Sequence, residues 1–322
     1  MVNIGITGSG SLIGQAVIKS IKNSNLKEHY RLIGFDYFEN TVGSFWCHEN
    51  HLLPDLLKPD LKEKWLDSLI EILKAKKIKV LFPGVDFELE LLSINKEKIK
   101  NKTGCTVVIS SEDVIRIGND KYLTYEFLKE NGLNYPQTFL PEDYDSASLE
   151  FPVIVKPRIG ARSIGVSVVR SAKTINAIIN DTNAPIIQEL VGADDAEYTC
   201  GVIAFDGEVK EIIAIKRSLK AGNTFISEYK KDFPDEIYSY LHEISSKLSI
   251  YGACNFQLRI DKNGVPILFE INPRHSGTTY IRSLFGFDEI VYILQYILEG
   301  SEMEFELKEG KVMRYFEEVI IE

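Results

Sequence analysis

The chain contains 322 residues, of which 47 are acidic and 37 are basic, so its formal net charge is −10. This length allows about two domains with sizeable cores, and 44% hydrophobic with 26% charged residues is ordinary for a globular protein. The acidic balance argues against a nucleic-acid-binding surface. It leaves room for a local basic pocket that binds a small anion.

Three features of the sequence indicate a cytoplasmic protein with no membrane partner. The four cysteines are scattered without the spacing of metal ligands, as expected of single thiols in a reducing compartment. The chain enters a predicted strand at once, without the basic and apolar regions of a signal peptide. No apolar run approaches the roughly 20 residues that a membrane helix needs.

Predicted strands and helices alternate through residues 1–112, which indicates a parallel sheet of the Rossmann type. The strands are predicted at Asn3–Thr7, Arg31–Asp36, Lys79–Pro83 and Thr106–Ser110. Helices are predicted from the glycine-rich turn to near Ile21 and over Trp65–Lys76.

Gly8, Gly10 and Gly14 follow the first predicted strand, and Asp36 ends the second. A glycine-rich turn followed by an acid at about this distance is the pattern of a dinucleotide site, which supports an NAD(P)-dependent oxidoreductase as an alternative function. The spacing GxGxxxG has one residue more than that fingerprint. We therefore favour a tight turn that lets the helix pack on the strand.

Asp86 and Glu88 lie where the strand that ends at Pro83 meets the next helix. In an open parallel sheet, that end faces the ligand crevice. The two carboxylates could hold a substrate amine there. Equally, they could cap the helix that follows.

Basic residues occur in two further places that suit an anion. Phe151–Lys156 predicts a buried strand whose terminal ammonium group needs an anionic partner, and the backbone N–H groups of the turn Ile159–Val166 could cradle phosphates. Lys216, Arg217 and Lys220 precede a glycine-containing loop. Such a cluster is usually only solvated, but here it favours an anionic substrate or a phosphate.

The most informative segment is a predicted hairpin over residues 255–272. Polar and apolar residues alternate in both strands, and Asn263-Gly264 predicts a two-residue turn. That turn places Gln257 opposite Glu270, with Asn272 on the same face and Arg274 at its edge. A looser four-residue turn would move the pairing by two residues and keep both side chains on that face. One carboxylate and two amides are hard oxygen ligands that suit Mg²⁺ and leave positions for phosphate. A polar strand face in water is the alternative.

The hairpin pattern Gln-(x)12-Glu-x-Asn-x-Arg resembles the metal-binding end of ATP-grasp enzymes. Gln at the first position is similar to the carbamoyl-phosphate synthase branch, and the resemblance covers most of residues 113–300. It implies an α/β fold, with a Rossmann-like domain at 1–112 and an ATP-grasp domain at 113–322. Within the latter, a mobile lid subdomain is expected at about 151–190.

The resemblance also implies a role for each matching residue. Mg²⁺ (or Mn²⁺) would be held by Gln257, Glu270 and Asn272, the transferring phosphoryl group would meet Arg274, and Lys156 would contact ATP phosphate. Arg217 is a further catalytic candidate because of its place in the basic cluster. ATP would be bound by Lys121, Lys156, Arg162, Ser163, Glu189, Leu190, Val191 and Glu197. The family usually has Gly-x-Gly-Ser where this chain has Gly160-Ala-Arg-Ser163. The lost glycine stiffens the lid loop, and Arg162 adds a charge.

These roles predict an ATP-dependent ligase that joins a small carboxylate to an amine through an acyl phosphate and releases ADP and phosphate. By charge complementarity, Asp86 or Glu88 would hold the amine. Arg217, Lys220 or Arg274 would hold the carboxylate, and His275 would lie near the substrate. A non-catalytic ATP-binding protein is a further alternative, and a homodimer is left open.

Two smaller expectations follow from the sequence. Carbamoyl-phosphate synthesis itself is not expected, since the chain lacks the second ATP-grasp half and the glutaminase which that reaction needs. Residues 315–322 are predicted to form a closing strand.

Overall fold

The computed structural model describes residues 1–145, 149–160, 163–193 and 196–320. The α-helices in these ranges are α1 (Leu12–Lys22), α2 (Val42–Trp46), α3 (Lys62–Ala75), α4 (Leu89–Thr103), α5 (Glu112–Asn119), α6 (Lys121–Glu130), α7 (Ala172–Asp181), α8 (Asp235–Leu248), α9 (Thr279–Leu284) and α10 (Glu289–Glu299). The strands are β1 (Val2–Thr7), β2 (Tyr30–Asp36), β3 (Glu49–Leu52), β4 (Val80–Phe82), β5 (Thr106–Val107), β6 (Thr138–Phe139), β7 (Val153–Pro157), β8 (Ser167–Val169), β9 (Pro185–Glu189), β10 (Glu197–Phe205), β11 (Glu208–Lys220), β12 (Asn223–Tyr229), β13 (Gly252–Ile260), β14 (Pro266–Asn272) and β15 (Gly310–Met313).

The N-terminal strands form a five-stranded parallel sheet in the order β3-β2-β1-β4-β5. This confirms the predicted Rossmann-like alternation, to which the structure adds the short α2 and β3. The Ser11 side chain accepts from Gly14 N and so satisfies a free donor at the start of α1. The parallel order brings the carboxyl ends of β1 and β4 side by side, and those ends face the rest of the molecule.

The largest sheet is antiparallel, with the order β14-β13-β10-β11-β12-β15. Every residue of β10 is buried, because helices cover this central strand. One apolar core contains Ile4 and Val17 of the N-terminal domain together with Phe205, Ile215 and Tyr292 of the C-terminal part. The two parts therefore pack against each other through a shared core.

A second antiparallel sheet, with the order β6-β9-β7-β8, stands apart from the large one. It has its own small core around Val153, Val155 and Ile187, against which α7 packs through Ile175. This sheet lies in the predicted lid region, and its first strand, β6, begins ahead of the range expected for the lid.

The C-terminal region differs from its prediction. The last strand is β15, which pairs with β12 at the edge of the large sheet, whereas residues 314–320 are not in a strand. Phe316 and Ile320 are almost fully exposed, so the apolar residues of that segment do not form an inner face. None of the helices described is both long enough and apolar enough to cross a membrane.

Candidate active site

The hairpin of β13 and β14 places Gln257 opposite Glu270, as predicted, but through a different turn, and it also pairs Asn255 with Asn272. Its turn is one residue longer than expected, because Asp261 N donates to Val265 O and Ile260 pairs with Pro266. A β-bulge between Gln257 and Leu258 then restores the register. Without that bulge, the longer turn would have moved Gln257 out of line with Glu270.

Three side chains meet on this face of the hairpin. Glu270 Oε1 accepts from Asn272 Nδ2 at 2.9 Å and from Gln257 Nε2 at 3.2 Å. The predicted metal ligands are therefore within hydrogen-bonding distance of one another. Within the described residues, no cluster of three or more His, Cys, Asp or Glu side chains could hold a metal ion. A metal here would depend on one carboxylate, two amide oxygens and ligand phosphates, which is a donor set that Mg²⁺ accepts.

Two arginines extend the cluster on either side. Arg217 Nη2 donates to Gln257 Oε1 at 2.7 Å, and Arg274 Nη2 donates to Asn272 Oδ1 at 2.9 Å. Each of these amide oxygens keeps a second lone pair for a cation. Arg274 also pairs with Asp86 at 2.5 Å, which ties the hairpin to the N-terminal domain.

Glu197 is the acid at the other end of this chain of contacts. Its Oε1 accepts from Arg217 at 2.9 Å, and its Oε2 accepts from Arg259 at 2.9 Å. The Glu197 side chain is only 8% exposed, so the two guanidinium groups offset the cost of burying its charge. A hydroxyl donor would have to share these carboxylate oxygens, each of which can accept more than one hydrogen bond.

Two lysines converge on a cavity between the four-stranded sheet β6-β9-β7-β8 and the large sheet. Lys156 Nζ donates to Gln188 Oε1 at 2.7 Å, and Lys121 Nζ donates to Gly160 O at 2.9 Å. Both residues are buried, and burial, with help from the neighbouring Lys121 charge, lowers the pKa of Lys156 to about 7. An anion in the cavity would therefore stabilise the charged form of Lys156.

Apolar side chains line the rest of this cavity, which makes it a slot with polar ends. Ser163, Glu189, Leu190 and Val191 lie along it as predicted, although Glu189 also accepts from Gln137 N at 3.1 Å. Phe269, the residue skipped by the bulge, lines it as well. Arg162, another predicted ATP contact, lies outside the described residues.

A second cavity, the cleft, opens between the large sheet and the N-terminal domain. It is lined by Asp86, Arg274, Arg314, the loop Ser276–Thr278 and the residues 11–13 at the start of α1. The two cavities meet beside the Glu270 hairpin face, because four side chains line both of them, namely Ile164, Arg217, Gln257 and Glu270.

Three of the six residues expected to bind or lie near a substrate do not line the cleft. Glu88 is fully buried and accepts from Tyr37 and Thr7. His275 is also buried, where its Nδ1 lies 2.9 Å from Glu289 and its ring packs on Phe82. Lys220 is exposed at the end of β11, above the ring of Phe225. Asp86, Arg217 and Arg274 do line the cleft.

Burial explains why Glu88 and His275 are absent from the cleft. The carboxylate of Glu88 stabilises the turn after β4, because Thr7, which donates to it, also accepts from Gly84 N. Burial also raises the pKa of Glu88 to about 7. His275 belongs to a buried group in which Arg282 pairs with Glu289 and donates to Asn255. That group supports the loop that carries Arg274.

Several residues of the site were not predicted. Arg259 lies two residues after Gln257 in the same strand, so the alternation of β13 already pointed to it. Gln188 interrupts an otherwise apolar run, which is a sign of a buried polar contact. The sequence contained no sign of Phe269, because its position depends on the bulge.

The glycine-rich turn does not form a dinucleotide site in this structure. The Asp36 carboxylate is already used, since its oxygens accept from Gly10 N at 2.7 Å, Thr41 Oγ1 at 3.0 Å and Tyr37 N at 2.8 Å. Gly43 of α2 lies so close to Ser9 that a Cβ atom there would come within 2.2 Å of its carbonyl carbon. Because α2 covers the glycine-rich turn, the turn serves helix packing, which is the interpretation that the GxGxxxG spacing favoured.

Comparisons with known proteins agree with this geometry. A sequence model of the ATP-grasp domain matches residues 118–278, which is half of the 322-residue chain. The arginine-specific large chain of carbamoyl phosphate synthase from Bacillus subtilis (strain 168) is 24% identical over 230 residues, covering 66% of this chain and 22% of that protein. D-alanine–D-alanine ligase A from Bacillus cereus is 26% identical over 175 residues, covering 48% of this chain and 56% of that protein.

The chain thus spans about a fifth of the first relative and just over half of the second. The crystal structure of an N5-carboxyaminoimidazole ribonucleotide synthetase in complex with ADP has the same fold, with a TM-score of 0.77 at 16% identity. The match covers 95% of this chain and 79% of that one. The matched model and the fold agree: the chain belongs to the ATP-grasp family.

Proposed function

We propose that the protein is an ATP-dependent carboxylate–amine ligase. One observation carries the proposal, namely the unbroken series of polar contacts from Glu197 through Arg217, Gln257, Glu270 and Asn272 to Arg274. This series runs along the junction of the two cavities. It would hold a phosphoryl group between a nucleotide on one side and a substrate on the other.

The first cavity suits a nucleotide. Its apolar slot would take the adenine, with the main chain of Leu190 and Val191 at the edge of the base. Glu197 would accept from the ribose. Lys121, Lys156 and Ser163 would lie along the phosphates, where the two ammonium groups offset the charge of the leaving ADP.

Glu270, Asn272 and Gln257 would hold Mg²⁺. Both amide groups contact Glu270 Oε1 through their nitrogens, and each amide oxygen, which accepts from an arginine, keeps a second lone pair for the cation. When bound, the cation would neutralise phosphate charge as a Lewis acid. Arg274 is placed by Asp86 and Asn272 to hold the oxygens of the transferring phosphoryl group from the cleft side.

Direct amide formation from a carboxylate in water is uphill, so the carboxylate first needs a leaving group. An oxygen of the carboxylate would attack the γ-phosphorus of ATP, and the bond to the β–γ bridging oxygen would break to release ADP. The amine nitrogen would then attack the acyl carbon. Phosphate would leave with the carboxylate oxygen, and the amine would lose a proton. Arg274 and Lys156 would stabilise the negative charge on the phosphoryl oxygens, so the reaction needs no protein nucleophile.

The test is a pairwise screen of organic acids and amino acids for ADP release in the presence of Mg-ATP. The proposal expects release that requires both a carboxylate and an amine. In Glu270→Gln, the rate with the active pair should fall by at least about 100-fold, because one charged ligand to the cation is lost. An unchanged rate in this variant contradicts the assignment of the site.

The matched control is Glu228→Gln. Glu228 is a partly buried carboxylate on β12 of the same sheet, where it pairs with surface lysines away from both cavities. This variant should keep the wild-type rate. If Mg-ATP raises the melting temperature but no pair releases ADP, the protein binds ATP without ligase chemistry, and the proposal fails.

A further inference from the structure

Arg314 is a cleft residue that lies beyond the stretch matched by the family model. It follows β15, and its backbone N donates to Phe225 O at 2.8 Å, which fixes the chain at the edge of the large sheet. Its side chain is partly buried, and Nη2 donates to Gly277 O. The side chain therefore lines the cleft but not the first cavity.

The charges of the other two arginines in the cleft are compensated by the protein. Arg217 pairs with Glu197 at 2.7 Å, and Arg274 pairs with Asp86 at 2.5 Å. The Arg314 side chain, by contrast, donates to the neutral carbonyl of Gly277. No ion pair joins it to any carboxylate of residues 1–145, 149–160, 163–193 or 196–320. A partly desolvated cation without a counter-charge is costly unless a ligand supplies one.

Burial lowers the pKa of Arg314, and no carboxylate of the described residues offsets this effect. The side chain is nevertheless held in place rather than free in solvent. A Cβ atom at Gly277 would come within 2.7 Å of Leu12 and 3.8 Å of Arg314 Nη2. The loop Ser276–Thr278, the start of α1 and the guanidinium therefore pack together as one wall of the cleft.

We infer that Arg314 binds a carboxylate on the acceptor amine, so that the second substrate is an amino acid. This inference rests on the ligase function proposed above. The carboxylate to be phosphorylated must lie against Glu270 and Arg274, next to the nucleotide. Arg314 lines the cleft beside the start of α1 and does not line the first cavity, so it suits the attacking partner rather than the phosphorylated carboxylate. Asp86, whose side chain is 45% exposed, faces the same cleft and gives the ammonium group of a free amino acid a partner.

A forked guanidinium on a carboxylate forms charge-assisted hydrogen bonds. Such bonds are typically worth a factor of roughly 10 to 100 in affinity. Arg314 would therefore set the preference for amines that carry a carboxylate over amines that do not. Lysine at this position would keep the charge but lose the two-pronged geometry.

The test measures binding of the common amino acids to the protein saturated with Mg-ADP, by titration calorimetry. Each amino acid that binds is compared with its C-terminal amide. We expect at least one amino acid to bind, and its C-terminal amide to bind roughly 10- to 100-fold more weakly. Arg314→Gln should lower the affinity for the amino acid by a similar factor. Arg314→Gln should not further weaken the amide. The affinity of Arg314→Lys for the amino acid should lie between that of the wild type and that of Arg314→Gln.

Lys311→Gln is the matched control, because Lys311 is an exposed cation on β15 that pairs with Glu228 outside the cleft. It should bind the amino acid as the wild type does, and all three variants should keep the Mg-ATP thermal shift. The inference is overturned if no amino acid binds, if the amide binds equally well, or if Arg314→Gln leaves the affinity unchanged.

The two proposals can fail separately. If another substrate pair releases ADP while no amino acid binds through Arg314, the ligase function stands and the carboxylate subsite does not. If an amino acid binds through Arg314 but no carboxylate yields ADP with it, the subsite stands and the ligase function does not.

Discussion

Lys156 shows how a single side chain can couple nucleotide binding to pH. Its ammonium group lies among apolar atoms, with Gln188 as its hydrogen-bond acceptor and the ring of Phe269 at 5.8 Å. Burial, reinforced by the Lys121 charge, lowers the pKa of Lys156 to about 7. Above that pH the free protein holds this amine largely neutral, whereas a bound phosphate would favour its charged form.

Binding of Mg-ATP should therefore take up a proton. At pH 8 we expect an uptake approaching about one proton, which should vanish near pH 6, where Lys156 is already charged. Titration calorimetry in buffers of different ionisation enthalpy measures this uptake. Lys156→Arg, which stays charged throughout, should bind Mg-ATP without it. Equal uptake in the wild type and in this variant would show that another group is responsible.

The chemical types of the site residues were easier to predict from the sequence than the contacts that these residues make. Hard oxygen ligands, lysines and arginines are recognisable as types. Gln257, Glu270 and Lys156 were therefore singled out from the hairpin pattern, the end of an apolar strand and the resemblance to ATP-grasp enzymes. Whether a polar side chain faces a cleft or a core depends on tertiary packing. Glu88 and His275 share the chemistry of substrate ligands, but both are satisfied inside the protein.

At the scale of elements, the hairpin of β13 and β14 was predicted with the right pairing but the wrong turn. Asn263-Gly264 is a strong turn signal, yet Asp261 accepts from Asn263 N and Val265 N and draws the turn into a longer form. The compensating bulge could not be foreseen, because it has no sequence signal of its own. It is favoured because the apolar face of β14 must still meet the core.

The turn between β4 and α4 is another element held by one buried residue. Glu88 accepts from Tyr37 at 2.6 Å, and its contact with Thr7 links it to Gly84. This anchoring fixes the position of Asp86, and hence its pairing with Arg274. Burial raises the pKa of Glu88 from 4.5 to about 7, even though both hydrogen bonds act to lower it.

A raised pKa in the folded protein favours folding below the unfolded value, and this advantage is lost as the pH rises through the folded value. Relative to Glu88→Gln, the wild type should therefore lose on the order of 3 kcal/mol of unfolding free energy between about pH 4.5 and pH 7. Urea unfolding of both proteins across this range measures the difference. A constant difference would mean that Glu88 does not titrate there.

For the whole molecule, the sequence was sufficient to predict the layout and insufficient to predict how its parts meet. The alternation of strands and helices predicted the parallel sheet, and the hairpin pattern predicted the pairing of Gln257 with Glu270. The cleft, however, is formed by residues far apart in the chain, as where Arg274 reaches Asp86 and Arg314 reaches Gly277. Such contacts depend on the shared core of the two domains and carry no local pattern.

The most direct test of the proposed ligase function follows one oxygen atom through the reaction. The carboxylate of an active pair is prepared with ¹⁸O in both carboxyl oxygens, and the released phosphate is analysed by mass spectrometry. An acyl phosphate requires that one labelled oxygen leave with each phosphate, because the amine displaces phosphate from the acyl carbon. Phosphate without the label would contradict the acyl-phosphate mechanism, and with it the central claim.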